Sequence, residues 1–197
     1  MEAGTQGEEN QANQGGIILA QLIQGSRALT TRHLKAGNRS PEWYAGDTRR
    51  RYRVGNPADL DRVLGKLRLK VQRYPFAGRA QEEIVLDVIG IQSTIEDSRQ
   101  VRELIAHAIG HYLMHEGNQR YLLEKGDRVV AWKWEHQAWA YAYELLMPAR
   151  RVNTLLRRGW SDSDIQEHFA VSAEFYQGRM EAFREAFGLR AMTMRLA

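Results

Sequence analysis

The chain has 197 residues, of which 43% are hydrophobic and 26% charged, and its formal net charge is +4. This mixture suits one folded domain and excludes collagen-like and wholly disordered chains. The longest apolar run is far shorter than the roughly 20 residues that cross a bilayer. The acidic N-terminus differs from a basic export signal, so we expect a cytoplasmic protein. Because there is no cysteine, any metal site needs histidine and carboxylate ligands.

The basic residues are concentrated near the N-terminus. Residues 27–53 contain eight basic and two acidic residues, whereas the first 16 residues are mostly Gly, Gln, Asn and Glu. Turn residues throughout 37–55 indicate a linker. We therefore interpret residues 1–53 as a disordered basic arm and residues 54–197 as the folded domain. A solvated linker is the favoured role for the arm, and DNA contact through residues 27–53 is the weaker alternative.

The first elements predicted after the arm are a helix and a small sheet. The apolar spacing within residues 56–65 predicts a helix that ends at a glycine. Alternation of apolar and polar residues over 67–72 predicts a half-buried strand. The β-branched run over 83–89 predicts a second strand, and residues 91–95 either continue it or pair with it.

Four helices are predicted after the sheet, each bounded by capping or breaking residues. They cover residues 98–116, 129–147, 162–169 and 172–187. The second of these helices presents Ala138 and Ala142, two small residues against which another helix can approach closely. Together the elements predict an α+β fold with a helical C-terminal part from about residue 149.

Four of the six histidines lie close together in the sequence. His107, His111 and His115 follow one another at intervals of four on one predicted helix, and that spacing places neighbouring rings on one face, within reach of a shared metal ion. His115 is about 12 Å along the axis from His107, so the pairs His107/His111 and His111/His115 remain equally suitable. A bare pair of this kind also occurs without any metal. A third ligand would come first from Glu135 and second from His136.

The residues around these histidines resemble a known family. Within residues 100–115, the sequence Ala-His-Ala-Ile-Gly-His is similar to the Ala-His-Glu-x-Gly-His of the active-site helix in ImmA/IrrE zinc metallopeptidases. Residues 135–148 resemble the family's Glu-x-x-Ala-x-x-Phe-Ala-x-x-Leu-Leu-Met-Pro block, with Tyr141 in place of Phe. A weaker match covers residues 165–172. The resemblance extends from about residue 59 to residue 187.

The resemblance implies roles for individual residues. His107 and His111 become the helix ligands and Glu135 the third ligand of a zinc ion, with manganese as an alternative metal. His115 is left for packing or for a hydrogen bond behind the ligands. The implied fold is zincin-like, with a small antiparallel-type sheet packed on the active-site helix. The implied substrate is a protein, a helix-turn-helix transcriptional repressor, which would pair with a sheet edge near residues 88–95.

One position departs from the family pattern in a way that affects catalysis. The family's general base is the Glu directly after the first ligand His, and this chain has Ala108 there. General acid–base help is typically worth ~10²–10⁴ in rate, and alanine supplies none of it. Alanine is a good helix former, so the fold and the metal site should survive. Both an engineered inactive chain and a natural pseudoenzyme would have this sequence.

The predicted function is therefore that of a zinc-dependent, site-specific endopeptidase in a form that lacks its general base. Its substrate would be a repressor of a mobile element or a stress regulon. The alternative is a non-catalytic antirepressor or a toxin–antitoxin-like protein that sequesters a repressor without cutting it.

Overall fold

The computed structural model describes residues 39–76, 81–115 and 128–186. These residues form seven helices and three strands, which confirms the predicted α+β class. No helix among them is long and apolar enough to cross a membrane. In chain order the elements are α1 (Pro41–Tyr52), α2 (Leu60–Leu67), β1 (Lys70–Tyr74), β2 (Glu82–Val85), β3 (Val88–Gln92), α3 (Ser98–Met114), α4 (Arg128–Leu146), α5 (Ala149–Arg157), α6 (Asp162–Phe169) and α7 (Ala173–Ala186).

Helix α1 occupies most of the segment predicted as a linker. The Ser40 side chain caps it by accepting a hydrogen bond from the Trp43 backbone nitrogen at 3.3 Å, and a proline in the first turn needs no hydrogen-bond partner. Tyr44 and Ala45 are buried in the main core. The linker interpretation is therefore wrong for residues 41–52, because Ser-Pro begins a helix there rather than a turn. Residues 1–38 of the predicted arm lie outside the described residues.

The sheet has the order β1-β3-β2, with β3 in the centre. Strand β2 pairs antiparallel with β3, as expected, but β1 pairs with β3 in parallel. The sheet is thus mixed rather than of the antiparallel type. Ile89 and Ile91, two residues apart on β3, point to the same face and are fully buried. Strands β2 and β3 both pack on α3, so the sheet forms one wall beside that helix.

The strand boundaries differ from the predicted ones for local reasons. Helix α2 continues through Gly65 and is closed by Arg68 in the left-handed conformation, which delays β1 to Lys70. The β-branched run predicted as one strand is a hairpin, because Leu86 and Asp87 form a turn between β2 and β3. Leu86 adopts a positive φ of 56° there, a conformation that its side chain does not suggest.

Helices α3 and α4 approach each other closely, and this contact places the candidate site. The Asp97 side chain caps the start of α3 by accepting a hydrogen bond from the Arg99 backbone nitrogen. A Cβ atom added at Gly110 would lie 3.0 Å from the Tyr141 ring and 3.1 Å from the Ala138 carbonyl oxygen. The expectation that Ala138 admits a neighbouring helix is therefore confirmed. The histidine-bearing face of α3 consequently lies directly against the part of α4 that begins near Glu135.

Helices α6 and α7 follow the predicted boundaries closely, whereas α5 was not among the predicted helices. Helix α6 begins with a capping box between Ser161 and Asp164, and the Ser172 hydroxyl accepts a hydrogen bond from the Phe175 backbone nitrogen at the start of α7. Helix α7 packs on α4. The histidines lie between α3, α4 and β2.

Candidate metal centre

His107, His111 and Glu135 come together between α3 and α4. The Glu135 carboxylate lies 3.3 Å from Nε2 of His107 and 3.2 Å from Nε2 of His111. Both Nε2 atoms are buried, and within the described ranges neither has a hydrogen-bond partner. Two ligand atoms bound at 2.0–2.1 Å to one tetrahedral zinc ion would lie about 3.3 Å apart. The donor types suit zinc, and both distances from the Glu135 carboxylate lie close to that value.

The environment of His107 fixes the orientation of its ring. Its Nδ1 donates to Oε1 of Glu82 on β2 at 2.7 Å, and the Trp139 ring stacks on it with centroids 4.2 Å apart. Burial alone would lower the pKa of His107, but its interactions with the Glu135 and Glu82 carboxylates together outweigh burial and raise the pKa to about 9. Burial alone would raise the pKa of Glu135, but its interactions with the two histidines lower that pKa to about 2.

His111 is oriented by neutral partners instead. His115 donates from Nε2 to Oε1 of Gln137 at 3.0 Å, and burial lowers the pKa of His115 to about 4, so its ring is neutral at physiological pH. Its Nδ1 must then accept, and it accepts from Nδ1 of His111 at 3.0 Å. Nε2 of His111 is thereby left with its lone pair directed at Glu135. The hydrogen bond expected for His115 is present in the structure.

A second carboxylate also lies near the two histidines. Glu82, His107 and His111 offer ligand atoms that all lie within 4.8 Å of one another. Glu82, however, faces Nδ1 of His107, whereas Glu135 faces the unpartnered Nε2 atoms of both rings. Sequence reasoning missed Glu82, because nothing in a strand that begins Glu-Glu shows that the strand will cross beside α3. His136, the second choice as a ligand, is exposed, and its Nδ1 contacts the Trp132 carbonyl oxygen at 3.1 Å.

Ala108 follows the first histidine and is fully buried in the core. Its methyl group can neither accept nor donate a proton. The assignment of this position to a missing general base stays a prediction, as do the ligand roles of the three polar residues.

A cavity of about 570 Å³ opens beside the centre. Trp139, which stacks on His107, forms part of its wall together with Leu104, Tyr143 and Phe175. Glu103 also lines it, but both its carboxylate oxygens are occupied by Ser172, at 2.6 Å from the backbone nitrogen and 3.0 Å from the hydroxyl. Gln81, Asp97, Gln100 and Glu174 also line the cavity, so its wall combines aromatic and polar groups.

Comparison with known proteins identifies the family. The sequence profile of peptidase family M78, described as the IrrE N-terminal-like domain, matches residues 66–181, which is more than half of the chain. The chain belongs to the ImmA/IrrE family of metallopeptidases. Metallopeptidase ImmA of Bacillus subtilis (strain 168) is 31% identical over 78 residues, which make up 39% of this chain and 46% of that protein. The chain thus aligns with less than half of this curated ImmA.

The family assignment confirms the resemblance seen in the sequence. The matched residues contain all of α3 and α4 and the three strands, so both helices of the candidate centre lie in the ImmA/IrrE part of the chain. Helix α1 precedes the match, although its residues belong to the same core.

Proposed function

We propose that this chain is a zinc-dependent endopeptidase of the ImmA/IrrE type, in a form that lacks its general base, and that its substrate is a helix-turn-helix transcriptional repressor. The observation that carries the proposal is the meeting of two unpartnered, buried Nε2 atoms with the Glu135 carboxylate at zinc-like separations. Two histidines and one carboxylate leave a fourth zinc position open, as in catalytic sites.

Each residue around the centre has a role in this proposal. A zinc ion bound there would polarise the scissile carbonyl group and increase the acidity of water. His107, His111 and Glu135 would hold the ion. The Trp139 ring covers one face of His107 and lines the neighbouring cavity, where it can exclude water from a bound side chain. Ala108 leaves the proton of the attacking water without an acceptor at the family's position.

The substrate strand would dock on β2. Among the described residues, β2 is paired on one side by β3, whereas β3 is paired on both sides. Docking near residues 88–95 is therefore wrong, because those residues include the central strand, whose hydrogen bonds are already used. The outer edge of β2 offers backbone groups to an extended peptide, and Glu82 on this strand contacts His107.

The buried alanine supports a second candidate function. An intact ligand set beside a residue that cannot transfer protons suits a chain that binds a repressor through the same surface without cutting it. In this antirepressor, zinc would hold α3 and α4 together rather than act on a peptide bond.

Metal analysis of the purified protein tests the centre. We expect about one zinc ion per chain, and little in His111→Ala because the remaining two ligands bind weakly. His136→Ala is the matched control, since it removes a neighbouring exposed histidine and should keep the zinc. Equal zinc content in the parent and in His111→Ala would refute the centre.

The Ala108→Glu variant tests the enzymatic function. If the chain is a peptidase without its base, the substitution should raise zinc-dependent cleavage of the cognate repressor by about 10²–10⁴ with little change in zinc affinity. The assay would use repressors encoded beside the gene, with a chelator control. Equal cleavage by parent and variant would refute the general-base assignment. Cleavage by neither, with tight repressor binding by the parent, would favour the antirepressor.

A further inference from the structure

We infer that Glu82 is a positioning residue for the metal centre: its carboxylate holds His107 in the tautomer that presents Nε2 to the ion. This inference rests on the proposed zinc site and adds a residue outside the family's ligand motif.

The contact geometry separates positioning from metal ligation. Glu82 Oε1 lies 2.7 Å from Nδ1 of His107, and a carboxylate can only accept there. Nδ1 of His107 must therefore carry a proton, so Nε2 is the nitrogen of this ring that can bind a metal ion. Nε2 is the atom that faces Glu135 at 3.3 Å. Glu82 thus contacts a different nitrogen of the His107 ring from the one that faces Glu135.

Burial strengthens this hydrogen bond. The side chains of His107 and Glu82 are only 4% and 12% exposed, so water competes little for either group. Carboxylates placed behind a ligating histidine fix its orientation and make it a better electron donor. On the opposite side of the centre, the His115 ring and the Gln137 amide hold His111 without any net charge.

The position of Glu82 on β2 has a structural reason. Side chains alternate between the two faces of a strand, so Glu82 and Glu83 point in opposite directions, and only Glu82 contacts the helix α3 histidine. Strand β2 is held against α3 by its pairing with β3. The sheet therefore contributes directly to the centre through this one side chain.

Zinc titration by competition with a chelating dye measures the effect. Loss of such an outer-shell partner typically weakens metal binding by about 10–100-fold, and we expect this for Glu82→Gln. Glu83→Gln is the matched control, because it removes the same charge from the next residue of β2, and its affinity should equal that of the parent. The thermal unfolding of both zinc-free variants shows whether they are folded. If Glu82→Gln does not fold, Glu82→Asp replaces it, since the shorter side chain cannot keep the 2.7 Å contact.

Cobalt(II) substitution distinguishes a positioning residue from a ligand. We expect the visible absorption of the cobalt form to be the same in the parent and in Glu82→Gln, with weaker affinity in the variant. A changed spectrum would make Glu82 a ligand and overturn the inference. Unchanged zinc affinity in Glu82→Gln would overturn it too. A parent chain that binds neither zinc nor cobalt would instead refute the proposed function, and this inference with it.

Discussion

Two buried polar clusters lie on helix α3, and they differ in how completely their hydrogen bonds are satisfied. One is the metal centre. The other, which we name the α7 joint, consists of Glu103 with Ser172 and of Arg179 with Glu144 and the Met147 carbonyl group. Glu103, Glu144 and Arg179 of the joint each make hydrogen bonds within the protein. In the candidate metal centre, by contrast, Nε2 of His107 and of His111 makes no hydrogen bond among the described residues and faces the Glu135 carboxylate.

The difference shows how a metal-binding site can be distinguished from a hydrogen-bond network that only stabilises the fold. Buried polar groups are normally hydrogen-bonded, and exceptions need an explanation. The joint needs no further component to be stable. In the proposed centre a cation would complete the interactions of its nitrogen and oxygen atoms. We therefore expect mutations in the joint to change stability alone and mutations in the centre to change metal binding.

The largest expected effect concerns the joint. Arg179→Met leaves the Glu144 carboxylate without its cationic partner, and breaking a buried ion pair costs about 3–5 kcal/mol in the free energy of unfolding. Urea denaturation measures it. Arg184→Met, an exposed arginine on the same helix, should change stability by less than about 0.5 kcal/mol. A loss of zinc affinity in folded Arg179→Met would show that the two clusters are not independent.

The centre should respond to zinc in a way the joint does not. At a free zinc concentration 100 times the dissociation constant, binding should raise the free energy of unfolding of the parent by about 2.7 kcal/mol. Glu135→Ala should lose most of this increase, whereas Glu167→Ala, which removes an exposed carboxylate on α6, should keep it. The comparison would fail if zinc stabilised Glu135→Ala as much as the parent.

A smaller effect is expected where α1 meets α4. The Tyr141 hydroxyl donates to the Thr48 hydroxyl at 3.0 Å in a buried contact. Thr48→Val leaves that donor unpaired and should cost about 1–3 kcal/mol. Removing both groups in Thr48→Val/Tyr141→Phe should cost less than the single change, as a double-mutant cycle in urea would show. Full additivity of the two single changes would contradict the hydrogen bond.

The smallest expected effect is a pH dependence within the joint. Burial raises the pKa of Glu103 above its ordinary value of 4.5, against the lowering effect of its bonds to Ser172, and Asp97 and Glu174 raise it further. The folded state then holds the proton more tightly than the unfolded state. The stability that Glu103 contributes is therefore fully present below about pH 4.5 and declines as the pH rises.

Glu103→Gln makes this measurable, because glutamine does not titrate. The stability of the parent minus that of the variant should fall between pH 4 and pH 7 in urea denaturation. If the stability difference between the parent and Glu103→Gln stays constant or rises over this range, burial does not raise the pKa of Glu103.

The parts of the molecule that local sequence could predict are those set by local rules. Helix α6 and the caps at Asp97 and Ser172 follow from short capping patterns, and the histidine spacing shows the ligand face of α3. Helix α1 was missed because its Ser-Pro start looks like a turn until Tyr44 and Ala45 are seen in the core. The direction of β1 depends on its parallel pairing with β3, which no local pattern specifies.

The same limit applies to the supports of the centre. Glu82 is 25 residues from His107 in the sequence, and the contact exists only because β2 folds back against α3. The contact of Gln137 with His115 could not be predicted from the sequence for a different reason. Its position on α4 follows from the helix, but its bond to His115 depends on the distance between two helices, which is a property of the packed structure.

Gly110 has no side chain, and this allows α3 and α4 to lie close together at the candidate centre. A Cβ atom added at Gly110 would lie 3.1 Å from the Ala138 carbonyl oxygen, so α3 and α4 leave no room there for a side chain without a shift of their backbones. Bonds between zinc and its ligands vary in length by only about 0.1 Å, whereas one added methyl group would force the helices apart by several times that amount. His111 and Glu135 sit on either side of this contact. Glycine at position 110 therefore keeps α3 and α4 close enough for His111 and Glu135 to reach one ion in the proposed centre.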